Sequence, residues 1–351
     1  MNYRAETLKL FGKEGMIRAG LDPEDADVFI DGLILADLRG VSSHGITRLS
    51  TYSKRVASGV IAPKARVTAL QEKDSTLLLD AGNGMGIPAA EQAMEWCIRK
   101  AAEHGCCFAA VRGGNHFGIG AHFSMMAAEK GMIGFAVSNS EAAVVPTGGS
   151  RPMLGTNPLS VAIPAGRYAP VVLDMATSVV ARGKVVLAQK NGESIPEDWG
   201  VDRDGVPTTD PAKILDGGSM LPFGGPKGYA ISLIIDILCS CVAGALNCRT
   251  TPHFWDDFEH PQNIGFFLGA IDIGGFLDLD TFKGRIDQML DEFKACPTKP
   301  GVPEVLLPGE IEQRNYERRI KEGIPLTEAV VADLKRTGES FGVSFPEDAV
   351  I

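Results

Sequence analysis

The chain has 351 residues, of which 44% are apolar and 22% charged. That is enough to bury a large core in one or more domains, and too apolar for a disordered chain. Its 34 Lys and Arg against 44 Asp and Glu leave a net charge of −10, which disfavours a nucleic-acid or anionic-membrane surface as its main task.

The first stretch reads as helical. Ala5 to Ala19 has helical spacing and stops at Gly20, and Asp22-Pro23-Glu24 is an N-cap with proline at the first helical position, closed by Gly40. A polar loop with Ser42, Ser43 and His44 precedes a helix expected over 47–57. From about residue 75 strands and helices alternate. Strands are expected at 76–80, 106–111, 133–138, 160–163 and 170–174, and helices at 89–103, 121–130 and 178–190. An irregular Gly/Pro/Asp-rich stretch spans 191–226, and an apolar segment, Gly228 to Leu246, follows. A strand region at 264–273, an amphipathic helix at 280–293, a strand at 305–307 and charged helices complete the chain. Both ends are helical and flank an α/β middle. The expected organisation is a helical domain of residues 1–70 with 297–351, around a mixed α/β domain of residues 71–296 that binds cofactor and substrate.

The apolar segment at 228–246 approaches spanning length. Asp236 at its centre and the lack of a second such segment make it a buried helix instead. The seven cysteines form no C-x-x-C and no regular frame, so reduced, mostly buried thiols of a cytoplasmic protein are the expectation. The N-terminus, MNYRAETLKLFGKEG, lacks the apolar core of a signal peptide.

No complete G-x-G-x-x-G is present. Gly82-Asn83-Gly84-Met85-Gly86 has its third glycine one position early, and Gly118-Ile119-Gly120 lacks a third, so an ordinary Rossmann site is not expected. Of six histidines, His104 ends a helix, and His253 and His260 sit in an Asp-rich loop expected at the surface. His44 and His116 stand out, each in a small-residue turn where a ligand can approach without steric screening. His116, His122 and Asp174 could also make a two-His-one-carboxylate metal site, giving a rival reading as a metal-dependent hydrolase or lyase. Lys227 stands at the start of the apolar helix, a natural place for an anion.

Taken in order, these motifs resemble the malate/L-lactate dehydrogenase family of non-Rossmann oxidoreductases, with the nearest likeness to its ureidoglycolate dehydrogenases. The resembling segments include Ala36-Asp37-Leu38-Arg39-Gly40 through Ser43-His44-Gly45 to Arg48, Gly114-Asn115-His116, Gly155-Thr156-Asn157-Pro158, Asp174-Met175-Ala176-Thr177, Gly225-Pro226-Lys227-Gly228-Tyr229 and Leu307-Pro308-Gly309-Glu310. They run in order over about 300 residues.

The resemblance implies a family-specific mixed α/β fold, with a largely antiparallel sheet covered by helices. It implies hydride transfer at C2 of a small 2-hydroxy or 2-oxo acid with NAD, or NADP, and usually a homodimer. By resemblance the cofactor falls at Ser140, Thr156, Asp174, Met175, Ala176, Lys227, Pro308, Gly309 and Glu310. His116 is the expected base in the oxidative direction and His44 its partner on the substrate oxygen. Asp174 is also expected to orient a histidine. Arg48, one helical turn beyond His44, is the expected clamp for the substrate carboxylate, with Ser43 beside it. Arg182 is a candidate for a distal anion. Between Arg112 and Lys184 the chain holds six basic residues and three acidic ones, so a mildly basic middle sits inside an acidic whole.

Overall fold

The computed structural model describes residues 1–346; residues 347–351 of the expected C-terminal segment lie outside the described residues. A short strand β1 (Asn2–Tyr3) leads into helices α1 (Ala5–Arg18) and α2 (Pro23–Leu38). Asp22 caps α2 by accepting from the Glu24 N–H, with Pro23 in the first turn. Two 3₁₀ turns, Ser42–His44 and Ile46–Arg48, then carry the chain into α3 (Leu49–Ala57).

The α/β middle follows with β2 (Thr68–Glu72), β3 (Thr76–Asp80), α4 (Gly86–His104), β4 (Cys106–Gly114), α5 (Gly120–Glu129), β5 (Met132–Ser138), β6 (Leu159–Ile163) and β7 (Val171–Met175). A smaller lobe contains α6 (Arg182–Asn191), β8 (Gly200–Val201), α7 (Pro211–Leu215) and β9 (Ser219–Met220) around Val144, Leu154, Val185, Ile195 and Met220. Then come α8 (Pro226–Asp236), a π-helical segment Ile237–Val242, β10 (Ile264–Asp272), α9 (Leu279–Lys294), α10 (Glu310–Glu322), β11 (Ile324–Pro325) and α11 (Glu328–Phe341).

Seven strands form one sheet in the order β2-β3-β4-β10-β5-β6-β7. Only β3 and β4 pair in parallel; every other neighbouring pair is antiparallel. The fold is therefore mixed and largely antiparallel, as the resemblance implied. Successive residues of a strand face opposite sides of the sheet. In β5, Ala136 enters the main core while Val137 packs with Ile235 and Cys239. Helices accordingly cover both faces, and glycines set their distance. A Cβ at Gly134 would lie 2.0 Å from the Ser124 carbonyl oxygen, and one at Gly265 would lie 1.9 Å from that of Cys239.

The chain ends meet, with β1 pairing antiparallel to β11. The main core draws Leu8, Phe11 and Met16 of α1, Phe29, Ile30 and Leu33 of α2, and Leu334 of α11 into one cluster.

Three expectations change, and one strand was not foreseen. Residues 305–307 form no strand; the Leu307 N–H instead donates to Glu310. The helix expected over 178–190 begins only at Arg182. The apolar segment 228–246 is not one buried helix. It divides at Asp236 and leaves Leu233, Ile234, Ile237 and Val242 exposed. Asp236 is buried because the side-chain amide of Asn139 (2.9 Å) and the Cys248 N–H (3.2 Å) donate to it. The edge strand β2, exposed throughout, lacks the apolar alternation that would reveal it. Among the described residues no helix is long and apolar enough to cross a membrane.

Candidate active site

One cavity of about 470 Å³ lies where the 3₁₀ turns, the loop after β4 and the end of β7 converge. That is an ordinary size for a small-molecule site. Of the expected residues, Ser43, His44, Arg48, His116, Ser140, Thr156, Asp174, Met175, Ala176, Pro308 and Gly309 line it, and so does Arg182. Lys227 and Glu310 do not. Lys227 is exposed at the start of α8. Glu310 is held by Lys294 (3.0 Å), by Arg314 and by the Leu307 N–H (2.9 Å), and so locks the turn into α10.

The histidine turn after β4 depends on the glycines that mimicked a dinucleotide motif. A Cβ at Gly86 would lie 2.0 Å from the Asn115 carbonyl oxygen and 2.3 Å from that of His116. Buried Asn115 donates to the carbonyl oxygens of Asn83 (3.2 Å) and Gly84 (2.9 Å). The Gly82–Gly86 stretch is thus a cradle for the His116 backbone. His44 is set by its neighbour, the Ser43 hydroxyl lying 2.9 Å from its Nδ1. The turn that carries both closes over the buried carboxylate of Asp37, which accepts from the Ile46 N–H at 2.7 Å. From α10, Arg319 donates to the Asp37 carbonyl oxygen (2.5 Å).

The two histidine rings stack, with centroids 5.6 Å apart and planes 18° from parallel. The Tyr52 hydroxyl hydrogen-bonds to Nδ1 of His116, and the Phe254 ring lies 5.1 Å away on another side. Burial holds His116 well below the usual histidine range, and His44, Arg48 and Arg55 push it the same way. Burial, helped by Arg48, brings His44 down to about 4. Both rings are therefore neutral at pH 7. Burial lowers Arg48 to about 10, so it stays charged. Its Nε donates to the Ser43 carbonyl oxygen, and the Trp255 ring covers its guanidinium at 3.9 Å. Among the described residues its terminal nitrogens have no hydrogen-bond partner in the protein, which leaves a forked donor for a carboxylate.

The other half of the cavity is built mostly from backbone. Pro308 accepts from the Val172 N–H (3.1 Å), and Gly309 has φ +85° with room for no Cβ, since one would sit 2.8 Å from Val172. Ala181, Arg182 and Gly183 line the wall at the start of α6, whose N-cap residue offers no side-chain cap. Its first amides can meet an anion. Several lining or bracing residues have no local sequence pattern that assigns them a role: Arg39, Tyr52, Phe254, Trp255 and Glu312. Phe254 and Trp255 sit in the Asp-rich loop beside His253, which together with His260 is exposed as expected. Nothing in their local pattern signals an inward turn.

One further expectation and the rival metal reading fail here. Asp174 does not orient a histidine. It accepts from the Ala121 N–H at 2.9 Å, at the start of α5, and burial raises it to about 6. His116, His122 and Asp174 do not converge as a metal site, because His122 Nε2 turns to Glu91 at 3.1 Å. Among the described residues no group of three His, Cys, Asp or Glu could hold a metal ion.

The family model for malate/L-lactate dehydrogenase matches residues 3–335. A malate dehydrogenase of Pyrococcus abyssi is 38% identical over 335 residues, 93% of this chain and 91% of that protein. The NAD(+) ureidoglycolate dehydrogenase of Escherichia coli K12 is 32% identical over 330 residues, 94% of each. The solved structure of sulfolactate dehydrogenase from Methanocaldococcus jannaschii superposes with a TM-score of 0.92 at 37% identity, covering 99% of both chains.

Proposed function

Because the chain belongs to the malate/L-lactate dehydrogenase family, we propose that it oxidises a small 2-hydroxy acid at C2 to the 2-oxo acid, or runs the reverse, with NAD as the hydride partner. The observation that carries this reading is the stacked pair of neutral histidines beside a desolvated, fork-presenting arginine in one cavity. The residues present fit a dinucleotide. The cavity continues from His116 through Ser140 and Thr156 to Met175, Ala176, Pro308 and Gly309, and the uncapped start of α6 offers amides to a phosphate. When bound, the nicotinamide accepts or returns the hydride.

The chain supplies the rest. Arg48 takes the C1 carboxylate on its two terminal nitrogens, with Ser43 beside it. To act as base, His116 carries its proton on Nδ1, shared with the Tyr52 hydroxyl in preference to the longer approach of the Gly118 N–H (3.4 Å), and so keeps a lone pair on Nε2. That lone pair takes the C2 hydroxyl proton as the hydride leaves C2, and His44 hydrogen-bonds the same oxygen. Aromatic rings on two sides and the half-buried setting of both histidines limit the access of bulk water to the transferring proton. In the cofactor half Asp174 and Glu312 stand with the guanidinium of Arg39, and Arg182 lines the wall at the start of α6. The NAD(+) dependence of the Escherichia coli relative supports NAD as the partner.

The exposed apolar side chains of α8 and the π-helical segment support a homodimer formed through that face. The seven free cysteines, four of them buried, support a reducing, cytoplasmic setting.

The deciding experiment offers malate, lactate, sulfolactate and ureidoglycolate, each with NAD and with NADP, and follows the absorbance of the reduced cofactor. Reduction with at least one acid, faster with NAD and indifferent to a chelator, is the expected result. No reduction with any pair, and no enhancement of NADH fluorescence on titration, would overturn the reading.

A further inference from the structure

The chemistry above leaves one buried cation without a task. Arg55, on α3, is the largest wholly buried side chain in the described structure. Among the described residues no carboxylate lies within ion-pair distance of it. Nη1 donates to the carbonyl oxygens of Phe254 (3.2 Å) and Asp257 (2.6 Å), and Nη2 reaches that of His260 (3.5 Å). Its Nε is buried with no partner. The guanidinium also stands 5.5 Å from the Phe254 ring and 6.0 Å from that of Phe258. Burying a guanidinium mainly on carbonyl dipoles is costly, and only the more distant carboxylates of Asp257 and Glu141 offset its desolvation. All its hydrogen-bond partners belong to one irregular loop, residues 252–262.

That loop forms a wall of the cavity. It sets Phe254 5.1 Å from His116 and 5.1 Å from Tyr52, and lays Trp255 3.9 Å over Arg48. Trp255 is 40% exposed, and its indole is braced edge-on by the Phe254 ring of the same loop, 5.0 Å away. Arg48, meanwhile, has its Nε committed to Ser43 and one face under the indole. Only the edge bearing its terminal nitrogens remains for a ligand.

We propose that Arg55 is a positioning residue for the substrate carboxylate. By gathering the carbonyls of the 252–262 loop it keeps Trp255 flat over Arg48, and so fixes the plane in which Arg48 presents its fork. This rests on the reading of Arg48 as the carboxylate clamp. A lysine at 55 keeps the charge but cannot fork to three carbonyls. The indole at 255 then loses its hold on Arg48, a loss worth roughly tenfold in substrate affinity.

The test is steady-state kinetics with the acid and cofactor that the substrate panel identifies, on Arg55→Lys, Trp255→Leu and the double variant. Each single change should raise KM for the 2-hydroxy acid about tenfold, with KM for the cofactor unchanged and kcat within about twofold. The double variant should be no worse than either single, because both act through the same stack. Multiplying KM effects, or a fall in kcat with KM for the acid unmoved, would overturn the proposal. If Arg55→Lys fails to fold, Trp255→Leu decides alone: an unchanged KM for the acid sinks it. A wild-type protein that turns over no 2-hydroxy acid fails the functional reading instead. Wild-type turnover with Arg55→Lys and Trp255→Leu both normal fails only this inference.

Discussion

The two halves of the cavity are made differently. The half around His44 and His116 is built from side chains, each oriented by another. Ser43 sets His44, Tyr52 and Phe254 set His116, and Ser43 and Trp255 set Arg48. The half around Met175, Ala176, Pro308 and Gly309 is built from backbone and small residues, with the 308–309 turn pinned to β7 by one amide. On the proposed reading the first selects by chemistry and the second by shape. Substitutions in the first should therefore change turnover or substrate affinity, and those in the second cofactor affinity.

The largest effect expected is from His116→Ala. Its kcat should fall about a thousandfold, while NADH affinity, read by fluorescence titration, stays near normal. An equal loss of NADH affinity would erase the division between the halves. Arg48→Lys keeps the charge and loses the fork, and should raise KM for the 2-hydroxy acid roughly thirtyfold. In the other half, Gly309→Ala forces a side chain into a left-handed backbone against Val172. NADH should bind about tenfold more weakly, with kcat at saturation little changed; a kcat loss without an affinity loss would blur the comparison.

The pH dependence sharpens it further. His44 sits near 4 and His116 well below the usual range. Both therefore stay neutral as pH falls past 6.5, and the acid limb of kcat/KM should lie below about pH 5. A limb at 6.5 in a profile from pH 4 to 9 would mean solvated histidines. The smallest effect concerns the support beneath the turn. Burial raises Asp37 from 3.8 to about 7, with Ile46, Arg319 and Ser42 opposing. The folded state binds the extra proton between those values, so this group's contribution to stability falls as pH rises through that window. Asp37→Asn keeps an acceptor for the Ile46 N–H and removes the titration. Its Tm should decline less from pH 4 to 7, by roughly 2 °C; parallel Tm curves would show that Asp37 is not proton-coupled.

Much of this was legible in the order of residues. Regular helices and strands with strong patterns, such as 76–80 and 280–293, fall within a residue or two of expectation. His44, His116 and Arg48 could be picked out because small neighbours and short spacing are local properties. Asp236 looked anomalous in an apolar segment because its partners, Asn139 and Cys248, come from other parts of the chain. Lys227 and Glu310 looked like cofactor ligands from their motifs, yet one faces solvent and the other closes an ion-pair network. Phe254 and Trp255 gave no signal, because a loop's inward residues are chosen by what anchors it, here Arg55 more than 195 positions away.

The sequence by itself determined the α/β middle between helical ends and the absence of a complete dinucleotide motif, and it singled out His44 and His116, since periodicity and turn chemistry are written in neighbouring residues; the largely antiparallel sheet was implied by the family resemblance. Tertiary structure alone decided which groups are desolvated, which nitrogens remain to meet a substrate, and that Gly82–Gly86 cradles a histidine. Burial and hydrogen-bond partnership depend on segments far apart in the chain, and those properties turn a loop histidine into a neutral one beside a forked arginine.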